Sequence, residues 1–298
     1  MLFRSGWARV LSSLFFSRIA IVGLLIGLLL TSYGVLASML ANPEQILYDI
    51  SRIQGDRWLV LAALLVAIKS CHEFGHYLAC VRNGVRCAEV GLMLLCFTPC
   101  LYCDTTESWR LSSRWQRAGI AAAGVYFEFW IALLGGFLFL NTPPGLLHLL
   151  GAGMWVMCTL GTLVVNANPF FRYDGYFVLS DLLCAPNLSH QSNQALWQAY
   201  KRVLGSSSRD DESYDYHKGF LIPFAVASSL YRWLVLGGIL LFLWHFLVPI
   251  GFGLYFILLT GAIGVGAIKS MNRNLQYTLA DRKSTRLNSS HEWISRMP

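Results

Sequence analysis

WLVLAALLVAIKSCHEFGHYLACV, residues 58–81, decides the architecture. Its first half is unbroken apolar sequence, and the whole stretch exceeds the ~20 residues that a helix needs to cross a hydrocarbon core of ~30 Å. Its second half sets Lys69, His72, Glu73 and His76 into the same span. A charged side chain at the middle of a membrane helix costs about 3 kcal/mol on insertion scales, so a span that keeps such groups points to a task for them. The composition agrees with a membrane setting. Of 298 residues, 55% are hydrophobic and 13% charged, and the mean hydropathy is +0.51. Soluble domains carry about 25% charged residues, roughly twice this supply. Disorder is excluded by 14% aromatics and long apolar runs. The net charge of +7 is spread between apolar runs, which marks orientation in a membrane and leaves no nucleic-acid surface.

Working outward, six spans are expected: residues 19–40, 58–81, 118–140, 146–171, 220–247 and 249–268. The first is read as retained, being too long for a signal-peptide core. The fold class is therefore an all-α polytopic membrane protein. Basic residues alternate between its loops. Arg4, Arg9 and Arg18 precede the first span. Arg82, Arg86, Arg110, Arg114 and Arg117 lie between the second and third, and Arg172, Lys201, Arg202, Arg209 and Lys218 between the fourth and fifth. The intervening connections are poorer in basic residues. The positive-inside rule then puts both termini and both long loops in the cytoplasm, with the chain in the cell (inner) membrane. Residues 87–104, apolar and broken by Pro99, are too short to cross twice and read as a membrane-associated hairpin.

The ionisable residues within spans carry the chemistry. In His72-Glu73-Phe74-Gly75-His76 the two histidines are four residues apart, hence on one helix face, and both can reach one metal ion. Glu73 adjoins the first, placed to act on the attacking water rather than on the metal. Zinc with three protein ligands and an open position suits hydrolysis, and a third ligand is required. Asp174, in NPFFRYDG at the exit of the fourth span, is the best candidate, because Pro169 and Gly175 would break the helix and turn Asp174 inward. Glu128 and Arg232 each sit inside a span and are expected to pair with one another. Cys100 and Cys103 form a CxxC without a second half, and read as small apolar residues of the hairpin. On a reducing cytoplasmic side, disulfides among the eight cysteines are not expected.

HExxH in one span and N-x-x-P-x-x-x-x-D-G two spans later resemble the site-2 protease family of intramembrane zinc metalloproteases. Lys69 before the motif, CLYCDTTESWRLSSRWQR and YDGYFVLSDLL are similar to bacterial members described as peptide zinc metalloproteases. The resemblance spans residues 58–183. It implies one zinc ion per chain on His72, His76 and Asp174, Glu73 as general base, and Asn166 holding substrate or an oxyanion. Two positions depart from the family's pattern: Ala123-Gly124-Val125 replaces the usual small-Gly-Pro segment, and Asp174-Gly175-Tyr176 the usual D-G-G.

The expected organisation is an N-terminal span with an external loop (residues 1–57), a zinc protease core (58–184), a cytoplasmic loop (185–219), two C-terminal spans (220–281) and a tail (282–298). That tail, RKSTRLNSSHEWISRMP, resembles a translated sequencing adapter, carries +3 of the net charge and is set aside as non-native. The expected activity is an intramembrane zinc endopeptidase acting on membrane-embedded or exported peptides. Its expected partners are the peptide or membrane-protein substrate, the lipid bilayer, and an export or membrane fusion component. The rival reading is a non-proteolytic, metal-binding accessory of a peptide export system.

Overall fold

A computed structural model describes residues 6–44, 55–87, 89–95, 98–203 and 218–247, with scattered positions between 253 and 269. Two compact units divide at Pro186 and Asn187. In the first, helices α1 (Gly6–Phe15), α2 (Arg18–Ala41) and α3 (Asp56–Arg82) precede an antiparallel hairpin of β1 (Val90–Leu95) and β2 (Thr98–Cys103). A short 3-10 turn (Thr106–Arg110) leads into α4 (Arg114–Ala121), α5 (Ala123–Asn141) and α6 (Leu146–Val156). The last runs on as a π-helix (Met157–Asn166), and α7 (Asp174–Leu182) closes the unit. The second unit holds α8 (Leu188–Val203) and α9 (Lys218–Leu247), which pack on each other.

Five helices among the described residues are long and apolar enough to cross a membrane: Arg18–Ala41, Arg57–Arg82, Ala123–Asn141, Leu146–Asn166 and Gly219–Leu241. These match the first five expected spans, and the all-α membrane class holds. The sixth expected span falls mostly outside the described residues, and the 282–298 tail lies outside them altogether. The surface of α2 explains its composition: Ile19, Leu29 and Leu40 are largely exposed, as side chains facing lipid would be.

Two boundaries differ from expectation, each for a local reason. The third span starts at Ala123 instead of 118, because the chain breaks its helix at Ala122 and leaves α4 as a separate segment. The fourth ends at Asn166 instead of 171. Pro169 lacks the N–H that a further turn would need, and the last ten residues are wound as a π-helix, with Ala167 N–H donating to the Thr162 carbonyl at 2.8 Å. The hairpin is a true two-stranded ladder, registered from Val90 opposite Cys103 to Leu95 opposite Thr98. Pro99 fits because a two-stranded sheet has an unpaired side on each strand.

The core of this unit forms where α1 lies across α3 and α5. Ala8, Tyr77, Leu78, Cys87 and Phe127 are buried there, with Phe15, Phe16 and Phe74 against them. Trp7 stacks on Phe74, one residue from Glu73. The Tyr126 hydroxyl donates to the Phe15 carbonyl at 2.5 Å, and Arg82 donates to the Ser12 carbonyl at 3.3 Å. Aromatic packing and these two bonds brace the C-terminal half of α3, which carries the polar motif.

Candidate metal centre

Helical spacing puts His72 and His76 one turn apart on α3, both buried, with their rings edge to face and centroids 4.9 Å apart. Their Nε2 atoms are 3.2 Å apart. Asp174 opens α7, and its Oδ2 lies 2.9 Å from His72 Nε2 and 3.5 Å from His76 Nε2. The segment between Asn166 and Asp174 folds back to make this possible. Asn168 Oδ1 accepts the Phe170 N–H at 2.9 Å, and Gly175 lies against the Ala167 carbonyl where a Cβ would have no room.

Each imidazole is also held from behind. His76 Nδ1 is 2.8 Å from the Ile120 carbonyl at the α4–α5 break. A proton on Nδ1 donates there and leaves the Nε2 lone pair facing Asp174. His72 Nδ1 is 2.9 Å from Glu128 Oε1, close enough for a strong electrostatic contact although its N–H is not aimed along the line between them. Gly124 completes the cradle: a Cβ there would overlap Nε2 of both histidines.

Three ligand-type atoms thus converge, and the buried Asp174 Oδ2 among them accepts no hydrogen bond from the described residues. An unsatisfied buried oxygen is costly, by about 1–3 kcal/mol. Ligands held tetrahedrally ~2.0–2.1 Å from zinc lie about 3.3 Å from each other. The observed separations of 2.9, 3.2 and 3.5 Å bracket that edge. Two imidazoles and one carboxylate are also a donor set that suits zinc and leaves a fourth position open. The residues fit the ion.

Glu73 lies beside the histidines on α3 and reaches towards the hairpin. Its Oε2 accepts the Cys103 N–H from the end of β2 at 3.1 Å. A cavity of about 350 Å³ opens here, bounded by Glu73, His76 and Asp174 on its floor. Tyr102, Cys103, Thr105, Thr106, Ser108 and Trp109 form one wall, and α4 and α7 the other through Arg117, Phe177 and Asp181. Arg117 Nε bonds Asp181 Oδ1 at 2.8 Å and its Nη1 the Leu111 carbonyl at 2.7 Å, which ties α4 to α7. The Cys87 and Cys103 sulfurs are 2.8 Å apart as free thiols. Burial pushes both above the ordinary thiol range, which favours the neutral thiol over the thiolate.

A family model described as peptidase family M50 matches residues 60–208. This chain belongs to peptidase family M50. No curated protein and no solved structure matches it. The M50 assignment bears out the resemblance to the site-2 proteases and makes the chain a membrane metalloprotease of a family that is in general zinc-dependent. The matched region holds the whole floor of the cavity.

The structure brings His72, His76 and Asp174 to one point and Glu73 beside them. Asn166 sits behind His72, its Nδ2 donating to Glu128 Oε1 at 3.0 Å and Oε2 at 3.2 Å. Glu128 and Arg232, expected as a pair, each have partners within their own unit. Glu128 takes Lys69 Nζ at 2.7 Å, while Arg232 bonds the Ser228 carbonyl and the Ser229 hydroxyl of its own helix. Lys69 is one turn from His72, and Thr162 one turn from Asn166. Each pair makes a polar stripe in an apolar span, and together they were the signal that a buried carboxylate stands between them.

Proposed function

We propose that this M50 peptidase is a zinc endopeptidase that cleaves membrane-embedded or membrane-entering peptides beside the cytoplasmic face of the inner membrane. The observation that supports it best is the convergence of His72 Nε2, His76 Nε2 and Asp174 Oδ2 at the floor of a cavity that also holds Glu73. Zinc, when bound, lowers the pKa of water to about 7 and polarises the scissile carbonyl. His72, His76 and Asp174 would hold it.

The remaining steps belong to the chain's own side chains. Glu73, anchored by the Cys103 N–H, accepts the proton of the attacking water and passes it to the leaving amine. The hydrogen bond fixes one carboxylate oxygen and leaves the other for the proton. A helical substrate hides its carbonyls, so it must unwind before one can reach Glu73. The cavity, with the hairpin on one side and α7 on the other, has room for an unwound segment of a few residues. The cytoplasmic placement rests on the alternation of basic loops.

Metal analysis and a cleavage assay on single-span peptides, with the full chain in nanodiscs, test the reading together. The expected result is one zinc per chain, cleavage by the parent, and no cleavage by Glu73→Gln despite retained zinc. Zinc bound with every peptide left intact would favour the export accessory instead.

A further inference from the structure

Behind the metal centre, away from the cavity, lies a second group of polar side chains that the peptidase chemistry does not use. Glu128 is 1% exposed, in the middle of an otherwise apolar α5. Four residues from two other helices converge on its carboxylate. Lys69 Nζ is 2.7 Å from Oε1, and the Thr162 hydroxyl donates to Oε2. Asn166 Nδ2 donates to both oxygens, and His72 Nδ1 lies 2.9 Å from Oε1. Thr162 and Asn166 are four residues apart in the π-helical segment, so that winding presents both to the same carboxylate.

A carboxylate buried this deeply is held by its partners rather than by solvent. Its orientation is therefore fixed by three side chains from two elements: Lys69 of α3, and Thr162 and Asn166 of the π-helix. Among the described residues, His72 is the titratable partner that also faces the metal centre.

We propose that Glu128 is a positioning residue for the metal site. It orients the His72 imidazole and sets its tautomer by taking the Nδ1 side, which leaves Nε2 for the ion. Lys69 balances its charge, and Thr162 and Asn166 hold its carboxylate plane. Asn166 on this account serves Glu128 rather than substrate. Carboxylates behind ligating histidines generally act so, and their loss costs about 10–100-fold in metal affinity. The assignment rests on His72, His76 and Asp174 being the metal ligands.

The test measures zinc affinity by chelator competition, on the full chain in nanodiscs, together with thermal unfolding and the kcat and KM of peptide cleavage. Glu128→Gln keeps the shape and removes the charge, and is expected to weaken zinc about 10–100-fold. Asn166→Ala should weaken zinc less, and adding it to Glu128→Gln should cost little more, because both act through one carboxylate. Unchanged zinc affinity in a folded Glu128→Gln overturns the proposal. So does an Asn166→Ala variant with parental zinc affinity and a reduced kcat, which would return Asn166 to substrate. If Glu128→Gln does not fold, Thr162→Val removes only the hydroxyl donated to Glu128. It should weaken zinc several-fold, and parental affinity would again overturn the role. A His72→Ala, His76→Ala double variant that keeps its zinc would instead sink the metal reading beneath the proposal, a result the Glu128 series cannot mimic.

Discussion

Neighbouring residues of the same helix do opposite work in this protein. Towards the open side of α3, Glu73 faces a cavity of about 350 Å³ whose walls are a hairpin, a 3-10 turn, and the helices α4 and α7. Towards its packed side, Lys69 and His72 meet α5 and the π-helix through Glu128, Thr162 and Asn166. Among the described residues Glu73 has a single backbone N–H to hold it, whereas Glu128 has donors from two helices. A group that must take up and release a proton needs one free oxygen and access to water. A group that must keep a ligand still needs neither. Adjacent turns of one helix supply both because the neighbouring elements differ, not because α3 does.

The largest effect expected from breaking this arrangement is at Asp174. Asp174→Ala removes the oxygen that lies 2.9 and 3.5 Å from the two imidazoles, and with it a third of the protein's ligand set. Zinc content measured after dialysis should fall towards zero, with cleavage lost in parallel. Next comes Glu73→Gln on the open side. General-base loss costs about 10²–10⁴ in rate, so cleavage should fall by that factor while zinc content stays at the parental value. A Glu73→Gln variant that loses zinc would erase the contrast between the two sides of α3.

What the sequence made legible follows the range of the interactions. The α3 histidines and Glu73 were readable because spacing along a single helix fixes their relation. Asp174 was readable only through the breaks at Pro169 and Gly175, which say that the chain turns but not where it turns to. Glu128 is legible as a charge in a span, but Lys69 as its partner is not. Nothing local singles out Lys69 as a mate, because the choice depends on how α3 and α5 register. The π-helical winding of 157–166 was likewise hidden, since MCTLGTLVVN has the composition of any apolar span. The described spans fall within a few residues of expectation, apart from the end of the fourth, cut short before Pro169, and the start of the third, where the helix breaks at Ala122 in an apolar run without proline.

Gly124→Ala sharpens the comparison from between the two sides. The glycine was noted in sequence only as part of a departing motif, but its missing Cβ is the space into which both Nε2 atoms point. Over-packing of a tight site costs about 1–3 kcal/mol. The variant should unfold at lower temperature and bind zinc more weakly, since the imidazoles must separate to admit the methyl group. Thermal unfolding with and without added zinc would measure both. If Gly124→Ala binds zinc as tightly as the parent, the two rings do not converge as described.

The smallest effect is expected at the rim of the open side. The Tyr102 hydroxyl donates to Glu89 Oε2 at 3.0 Å, an exposed bond in competition with water. Tyr102 also lines the cavity, about a strand's width from the Cys103 N–H that holds Glu73. If its hydroxyl only fastens the hairpin rim, Tyr102→Phe should leave zinc affinity unchanged and kcat/KM within about twofold of the parent, because the lost bond is replaced by water. A rise in KM with kcat unchanged would mean instead that the hydroxyl meets bound peptide in the ground state and transition state alike. That outcome would extend the binding surface from the cavity floor onto β2. The split between kcat and KM therefore decides whether the open side of α3 ends at Glu73 or continues along the hairpin.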